Sequence, residues 1–482
     1  MPAADRSDET SGEELRRARE ELARLADVER ELVFWRARAE KAEAQAAQWR
    51  TVRNRSLWKL FAAADQLRAR VAPPNTRRER VVLGAARRAA RAVAPLARTP
   101  RTTGPKVRPT GHKDVLFVYD QAGAWTSYRC DHQAEQLEYV GMSADVARSG
   151  QIDLVAAVDH YETFILNRVE WSRDIARFFK AARRADRSLI FDTDDLIFEP
   201  DLSVDVPFLA DAGDSARTAW RDRFDRYRET LETCDRATVS TDPLAAYARR
   251  RVSRVDVVYN AVSSELVQRA DEALATRSYA ETVAAGRAVT IGYLSGSPGH
   301  DHAFGEAADA VVEILETYPH VRLLLVGFLE LDRRFDRFEP RVMRIPKQPL
   351  AALSKLLARV DINLAPLERD NAFTSCKSCV KYLEAGLVGV PTVASARPDF
   401  VRVIDNRRNG MLADTPAEWQ DALTELVESP EQRRAIGTVA YEDVRRHHTT
   451  KARAAVLRRA LESDGGRLPE RDAEPAVGVL RR

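Results

Sequence analysis

The sequence predicts an α/β protein of two Rossmann-like, doubly wound domains facing a cleft, preceded by a helical, coiled-coil region. Three observations predict it. From Lys113 onward, short β-rich apolar runs alternate with amphipathic helical runs, the pattern of parallel sheets covered by helices. The alternation pauses after VVYNAV and restarts at AVTIGYL, so there are two such sets. The first 112 residues hold only charged, helix-periodic sequence and a linker.

In order, residues 1–50 carry one long helix over 11–50, without Pro and, after Gly12, without Gly. Leu15, Ala18, Leu22, Leu25 and Leu32 fit heptad a and d positions, while Glu29 and Arg36 interrupt the seam. A short coiled coil, and with it a homo-oligomer, fits this pattern; so does a single charged helix. Residues 51–112 hold two basic amphipathic helices and a linker. Leu57, Trp58, Leu60, Phe61, Ala64, Leu67 and Val71 form an apolar stripe among arginines, ERVVLGAARRAARAVAPLAR follows, and RTPRTTGPKVRPTGHK links onward. Such helices suit an anionic membrane surface, and the same stripe suits packing on the domains that follow. Residues 113–270 form the first doubly wound domain, with strands DVLFVYD, MSADVA, ETFILNRV, RSLIFDTDD and RATVST and helices SYRCDHQAEQLEYVG, WSRDIARFFKAARRA and PLAAYARRR. Residues 285–462 form the second, from AVTIGYLSGSPGHDHAF through strands VRLLLVG, RVMRIP and DINLAPL to terminal crossing helices. Residues 463–482 read as a disordered tail.

Composition narrows the class. Hydrophobic content of 44% and charged content of 31% describe a globular chain of 482 residues, long enough for two or three cores. No run of about 18 apolar residues offers a membrane span, and the acidic start offers no secretory leader. The expected location is therefore the cytoplasm, on the inner face of the membrane. The net charge of +3 hides an asymmetry: 10 basic and 12 acidic residues in 1–50, 15 and 2 in 51–112, and 51 and 59 in the remainder. A net acidic body argues against a nucleic-acid partner. Cys130, Cys234, Cys376 and Cys379 are too few for a disulfide framework, and a lone C-x-x-C lacks the further ligands zinc needs. Neither metal nor cofactor is expected.

Ligands of open α/β sheets bind beyond the carboxyl ends of the strands. In the first domain that rule selects Tyr128 and Arg129 in QAGAWTSYR, Arg168 after FILN, and Asp192, Asp194 and Asp195 after SLIF. In the second it selects Ser295, Gly296, Ser297 and His300 of SGSPGH, and the stretch NAFTSCKSCVKYLEAGLVGVPTVAS. At about 100° per residue, Lys377, Lys381 and Glu384 share one helix face, with Ser378 at an open helix start. Helix N–H groups and two ammonium groups suit a phosphate, and a deeper carboxylate suits sugar hydroxyls; together these describe a nucleotide. A solvated face on which Glu384 pairs with Lys381 fits the spacing too. The aspartates can bind hydroxyls, accept a proton, or sit in a helix-capping turn. Tyr128 and Arg129 can bind ligand or, respectively, pack and pair with a carboxylate. SGSPGH can cradle a phosphate or serve as a plain turn.

Lys-Ser-x-x-Lys-Tyr-Leu-Glu-Ala followed by Gly-x-Pro-Thr-Val-Ala-Ser resembles the donor-binding helix of nucleotide-sugar glycosyltransferases of the GT-B fold, family 4 type (glycosyl transferases group 1). The resemblance runs from roughly Lys113 to Leu461. It implies donor binding by Ser295, Gly296, Ser297, His300, Lys377, Ser378, Lys381 and Glu384, with Glu384 on the ribose. The strand-end rule adds acceptor contacts at Tyr128, Arg129 and Arg168, the first two able to meet phosphate instead, and acceptor-side catalytic roles for Asp192, Asp194 and Asp195, with Lys377 acting on the leaving diphosphate. The reaction implied is transfer to a cell-surface polysaccharide or glycolipid with retention of configuration and no obligatory metal. The family carries a second glutamate eight positions before Glu384, where this chain has Cys376, and basic residues around the diphosphate loop, where it has His300. The alternative is a catalytically silent nucleotide-sugar binding or scaffold protein.

Overall fold

The computed structural model describes residues 107–462 apart from 210–213, 282–287, 296–299, 328 and 330. The expected coiled coil, the basic helices and the tail lie outside the described residues. Where the expected linker enters them it is tied down. The Val107 N–H donates to the Gln151 carbonyl at 2.8 Å, and the Val107 carbonyl accepts from Asp153 at 3.1 Å.

Among the described residues, twelve strands form two parallel sheets. The first comprises β1 (Lys113–Tyr119), β2 (Ala144–Arg148), β3 (Tyr161–Asn167), β4 (Ser188–Thr193), β5 (Arg236–Val239) and β6 (Val255–Val257), in the order β2-β1-β3-β4-β5-β6. The second comprises β7 (Val289–Leu294), β8 (Val321–Val326), β9 (Val342–Ile345), β10 (Ile362–Ala365), β11 (Thr392–Ser395) and β12 (Met411–Ala413), in the order β12-β11-β10-β7-β8-β9. Strand order reverses between β1 and β3 and between β7 and β10. Those two reversals open the crevices in which such sheets bind ligands.

The strands form where the sequence is apolar on both faces, because helices cover both. In β1, Leu116 and Val118 pack with Phe164, Phe178, Phe191 and Phe198, while Val115 and Phe117 face the opposite layer. That second layer is completed from the end of the chain. The last helix of the described residues, Thr450–Glu462, lays Leu457, Ala460 and Leu461 against Val115, Phe117, Ile165 and Ile190. Arg236 clamps it by donating to the Leu461 carbonyl at 2.9 Å. Two long helices, Asp214–Thr233 and Ser264–Glu281, and strand β12 have no counterpart in the elements expected from sequence.

Candidate functional site

The carboxyl ends of the two sheets meet through side chains of both domains. In the second domain, Lys377 and Ser378 do not share a helix with Lys381 and Glu384. A short helix, Ala372–Ser375, ends at Cys376, and a new one, Val380–Gly386, begins after Cys379. The break has two causes. Asp399 accepts from the Cys379 N–H at 2.7 Å, so a carboxylate and not open space meets that helix start. Phe373 and Cys376 are drawn into the apolar cluster of the first domain, and Thr241 donates to the Cys376 carbonyl at 3.0 Å. Ser378 accepts from the Asn260 side chain at 2.9 Å rather than capping the helix.

Lys381 reaches back to the end of β7, where its ammonium donates to the Leu294 carbonyl and lies 4.3 Å from the Tyr293 ring centre. Burial lowers its pKa to about 8, against the pull of Glu384. Glu384, half-buried, accepts from the Tyr128 hydroxyl at 2.7 Å, and burial holds its carboxyl above the usual range. Tyr128, expected among the acceptor contacts, thus has its hydroxyl engaged by a carboxylate of the second domain. Ser295 is buried next to Gly327, whose φ is +102° and where a Cβ would lie 2.0 Å from the Ser295 carbonyl oxygen. Gly296, Ser297 and the His300 side chain lie outside the described residues.

In the first domain the expected ligand groups divide into two sets. Arg129 and Asp192 are fully buried and consumed by each other. Arg129 donates Nε and Nη2 to the carboxylate at 3.0 and 2.6 Å, and Nη1 to the Val258 carbonyl and Asn260. Asp192 also accepts from Asn167 at 2.8 Å and Thr238 at 2.7 Å. Their roles as substrate contacts are thus corrected: with each side-chain nitrogen and oxygen of the pair bonded to protein away from solvent, the pair holds β4, β5 and the Tyr128 turn together.

Arg168, Asp194 and Asp195 stay half-buried at the strand ends. Arg168 donates to both carboxylates, reaching Asp195 at 2.7 Å, and its guanidinium lies 4.8 Å from the Trp125 ring centre. Lys377 crosses from the second domain to Asp195 at 2.6 Å. Burial opposes charge at both aspartates. At Asp195, Lys377 and Arg168 win and hold the carboxyl below its ordinary value; at Asp194, burial wins and the carboxyl is held above it. Neither aspartate caps a helix, since the turn leads to the 3-10 segment Pro200–Asp205.

Sequence reasoning missed Trp125, Glu368 and Asn260. Glu368 follows β10 by three residues, and its Oε1 has no hydrogen-bond partner among the described residues; Oε2 accepts from Asn371 at 3.0 Å. Burial raises its pKa. The strand-end rule, applied to DINLAPLE, points to it. Cys376 is 1% exposed and its thiol is pushed up to about 12 by burial, which makes it a packing residue. Among the described residues no three metal-ligating side chains converge.

Residues 308–459 match a family model described as glycosyl transferase-like. No curated protein matches. Among solved structures, the chain is similar to Anabaena HepE in complex with UDP and glucose, at 14% identity over 73% of this chain and 100% of that one, with a TM-score of 0.51. It is similar to HepE in complex with UDP-glucose at 15% identity over the same shares, with a TM-score of 0.50. Sucrose-phosphate synthase from Thermosynechococcus elongatus aligns at 14% identity over 73% of this chain and 98% of that one, with a TM-score of 0.50. At these identities the likeness establishes the two-domain GT-B fold, in accord with the two sheet orders.

Proposed function

We propose that this glycosyl transferase-like chain of the GT-B fold moves a sugar from a nucleoside diphosphate sugar to a hydroxyl of a cell-surface glycan or lipid-linked acceptor, with retention of configuration. One observation carries the reading. Lys377 of the second domain meets Asp195 of the first and Glu384 meets Tyr128, at the carboxyl ends of both sheets, with Arg168 bound to Asp195 and Lys381 turned to the end of β7. The HepE structures hold UDP and UDP-glucose, which fits a donor of this class.

In this reading Glu384 accepts hydrogen bonds from the ribose hydroxyls. Lys377 and Lys381 meet the diphosphate, whose negative charge grows as the glycosidic bond to the donor breaks, so ammonium groups aimed there stabilise the transition state more than the ground state. Lys377 must be shared with, or released from, Asp195 to do this. Glu368 supplies the donor-side carboxylate that Cys376, sealed in the first domain, does not. On the opposite wall, Trp125, its ring between Gly123 and the Arg168 guanidinium, lies beside Asp194, and the polar groups of Arg168 and Asp194 suit sugar hydroxyls; Asp194, whose carboxyl burial holds above its ordinary value, takes the acceptor proton in this scheme. No metal enters this scheme. Residues 51–112 bring the enzyme to the inner face of an anionic membrane, where such acceptors reside, and residues 11–50 pair copies of the chain.

The test is a calorimetric titration with UDP, GDP, ADP and TDP, on native protein and on Glu384→Ala. Binding of one nucleotide that is lost in the variant supports the reading. Binding of none of the four, or binding indifferent to Glu384, overturns it and favours the scaffold alternative. Flotation with anionic vesicles, with and without residues 51–112, tests the membrane role.

A further inference from the structure

The Tyr128–Glu384 contact joins positions 256 residues apart across the two domains, and it is built to be rigid. Tyr128 lies in a π-helical turn, Ser127–Asp131, where an extra residue re-aims side chains. Its ring is 4% exposed and meets the His132 ring edge-on at 4.8 Å. His132 is itself fixed, with Nδ1 2.8 Å from the Ala261 carbonyl oxygen. The next residue, Arg129, is locked to Asp192. Both of these neighbours are thus anchored, and the phenol hydroxyl donates to a carboxylate of the opposite domain.

We propose that Tyr128 is a positioning residue of the nucleotide site. By holding one oxygen of Glu384, it orients the carboxylate toward the ribose and makes the site complete only when the two domains are together. The inference rests on the reading of Glu384 as the ribose-binding group. A half-buried carboxylate without this donor has a freer rotamer and a stronger tendency to take a proton, and either change weakens its acceptance of sugar hydroxyls. The groups facing Glu384 are Tyr128 from the first domain and Lys381 one turn back on its own helix. Cys379 and His132 lie behind Tyr128, and Lys377 lies beyond Lys381. Burial pushes the Tyr128 phenol well above its ordinary value, so it stays a donor, and it holds His132 below its ordinary value. Glu384 is then the group that titrates as the medium turns acid. Its charged form binds, so affinity is present above its pKa and lost as pH falls through it.

The experiment is titration with UDP, or whichever of GDP, ADP and TDP the native chain selects, from about pH 5 to pH 8, on native protein, Tyr128→Phe, Glu384→Gln and the double variant. A lost hydrogen bond to a charged group corresponds to about a tenfold weaker affinity in Tyr128→Phe, with the acid-side loss displaced about one unit toward neutrality. In the Glu384→Gln background the same change should have far less effect, because Tyr128 acts through Glu384. A purely structural tyrosine would give losses that add in the double variant, and that outcome, or an unaltered affinity and profile, overturns the proposal. Should Glu384→Ala and Glu384→Gln both bind like the native chain, the nucleotide reading of Glu384 itself fails. Loss in those variants with none in Tyr128→Phe sinks the tyrosine's role alone.

Discussion

Asp195→Asn should tighten nucleotide diphosphate binding even though it removes a charged residue from the site. Asp195 receives Lys377 at 2.6 Å and Arg168 at 2.7 Å, with side-chain exposures of 17%, 27% and 14%. A hydrogen bond between charged groups contributes about 1.5–3 kcal/mol net, and this degree of exposure favours the lower end. A diphosphate that captures Lys377 forfeits that bond. Asparagine, isosteric and neutral, reduces it to an ordinary bond of about 0.5–1 kcal/mol, which leaves a gain of about 1 kcal/mol, or about fivefold in affinity. Calorimetry with the selected nucleotide measures this directly, with Lys377→Ala as the opposite control, expected to weaken binding. The cost appears in stability. Because the folded pKa of Asp195 lies below its ordinary value, its contribution is complete above the unfolded value and lost as pH falls through the folded one; asparagine lacks it throughout. The melting temperature at neutral pH should therefore fall in Asp195→Asn, and the gap to the native chain should close in acid. If Asp195→Asn weakens nucleotide binding as Lys377→Ala does, Asp195 does not compete with the diphosphate and the reasoning is wrong.

Three further outcomes are expected. The charge of Lys381 is lost as pH rises through about 8, so nucleotide affinity should decline with that midpoint and should not decline there in Lys381→Arg; because the folded value lies below the unfolded one, folding stability should rise over the same alkaline range. Removing one side of the buried Arg129–Asp192 pair, as in Asp192→Ala, should cost about 3–5 kcal/mol and yield protein that melts early, whereas Arg168→Ala, at the half-buried cluster, should fold and lose turnover. Glu368→Gln should bind the free nucleotide as the native chain does and transfer sugar more slowly, a split that equal loss of both would contradict.

The fold was legible because its signals are local. Runs such as DVLFVYD and VRLLLVG are apolar on both faces, and the helices between them repeat at helical period, so layers and order follow. Asp214–Thr233 escaped because its face toward the protein is thin: Phe224, Tyr227, Thr230 and Leu231 alone are buried among arginines and acids. Three-residue β12 has too little sequence to carry a pattern. At the site, residue types at strand ends were readable, but their partners were not. Lys377 meets Asp195 across 182 residues, and Asp399 ends the expected helix from 20 residues downstream. The burial of Arg129 and Asp192 likewise depends on Asn167, Thr238 and Val258, which no spacing rule connects to them.

The return of Thr450–Glu462 to the first sheet sets an order of events during synthesis. Strands β1 to β6 leave the ribosome first, but the layer holding Val115, Phe117, Ile165 and Ile190, which Cys130, Leu137 and Met142 line in part, is not completed until Leu457, Ala460 and Leu461 follow. At about 5–20 residues per second, the two hundred or so intervening residues take about 10–40 s. For that interval the first half of the chain carries an incompletely covered apolar face, the part that Leu457, Ala460 and Leu461 later fill. A nascent chain halted before residue 450 should therefore be the form that chaperones retain and that aggregates when released.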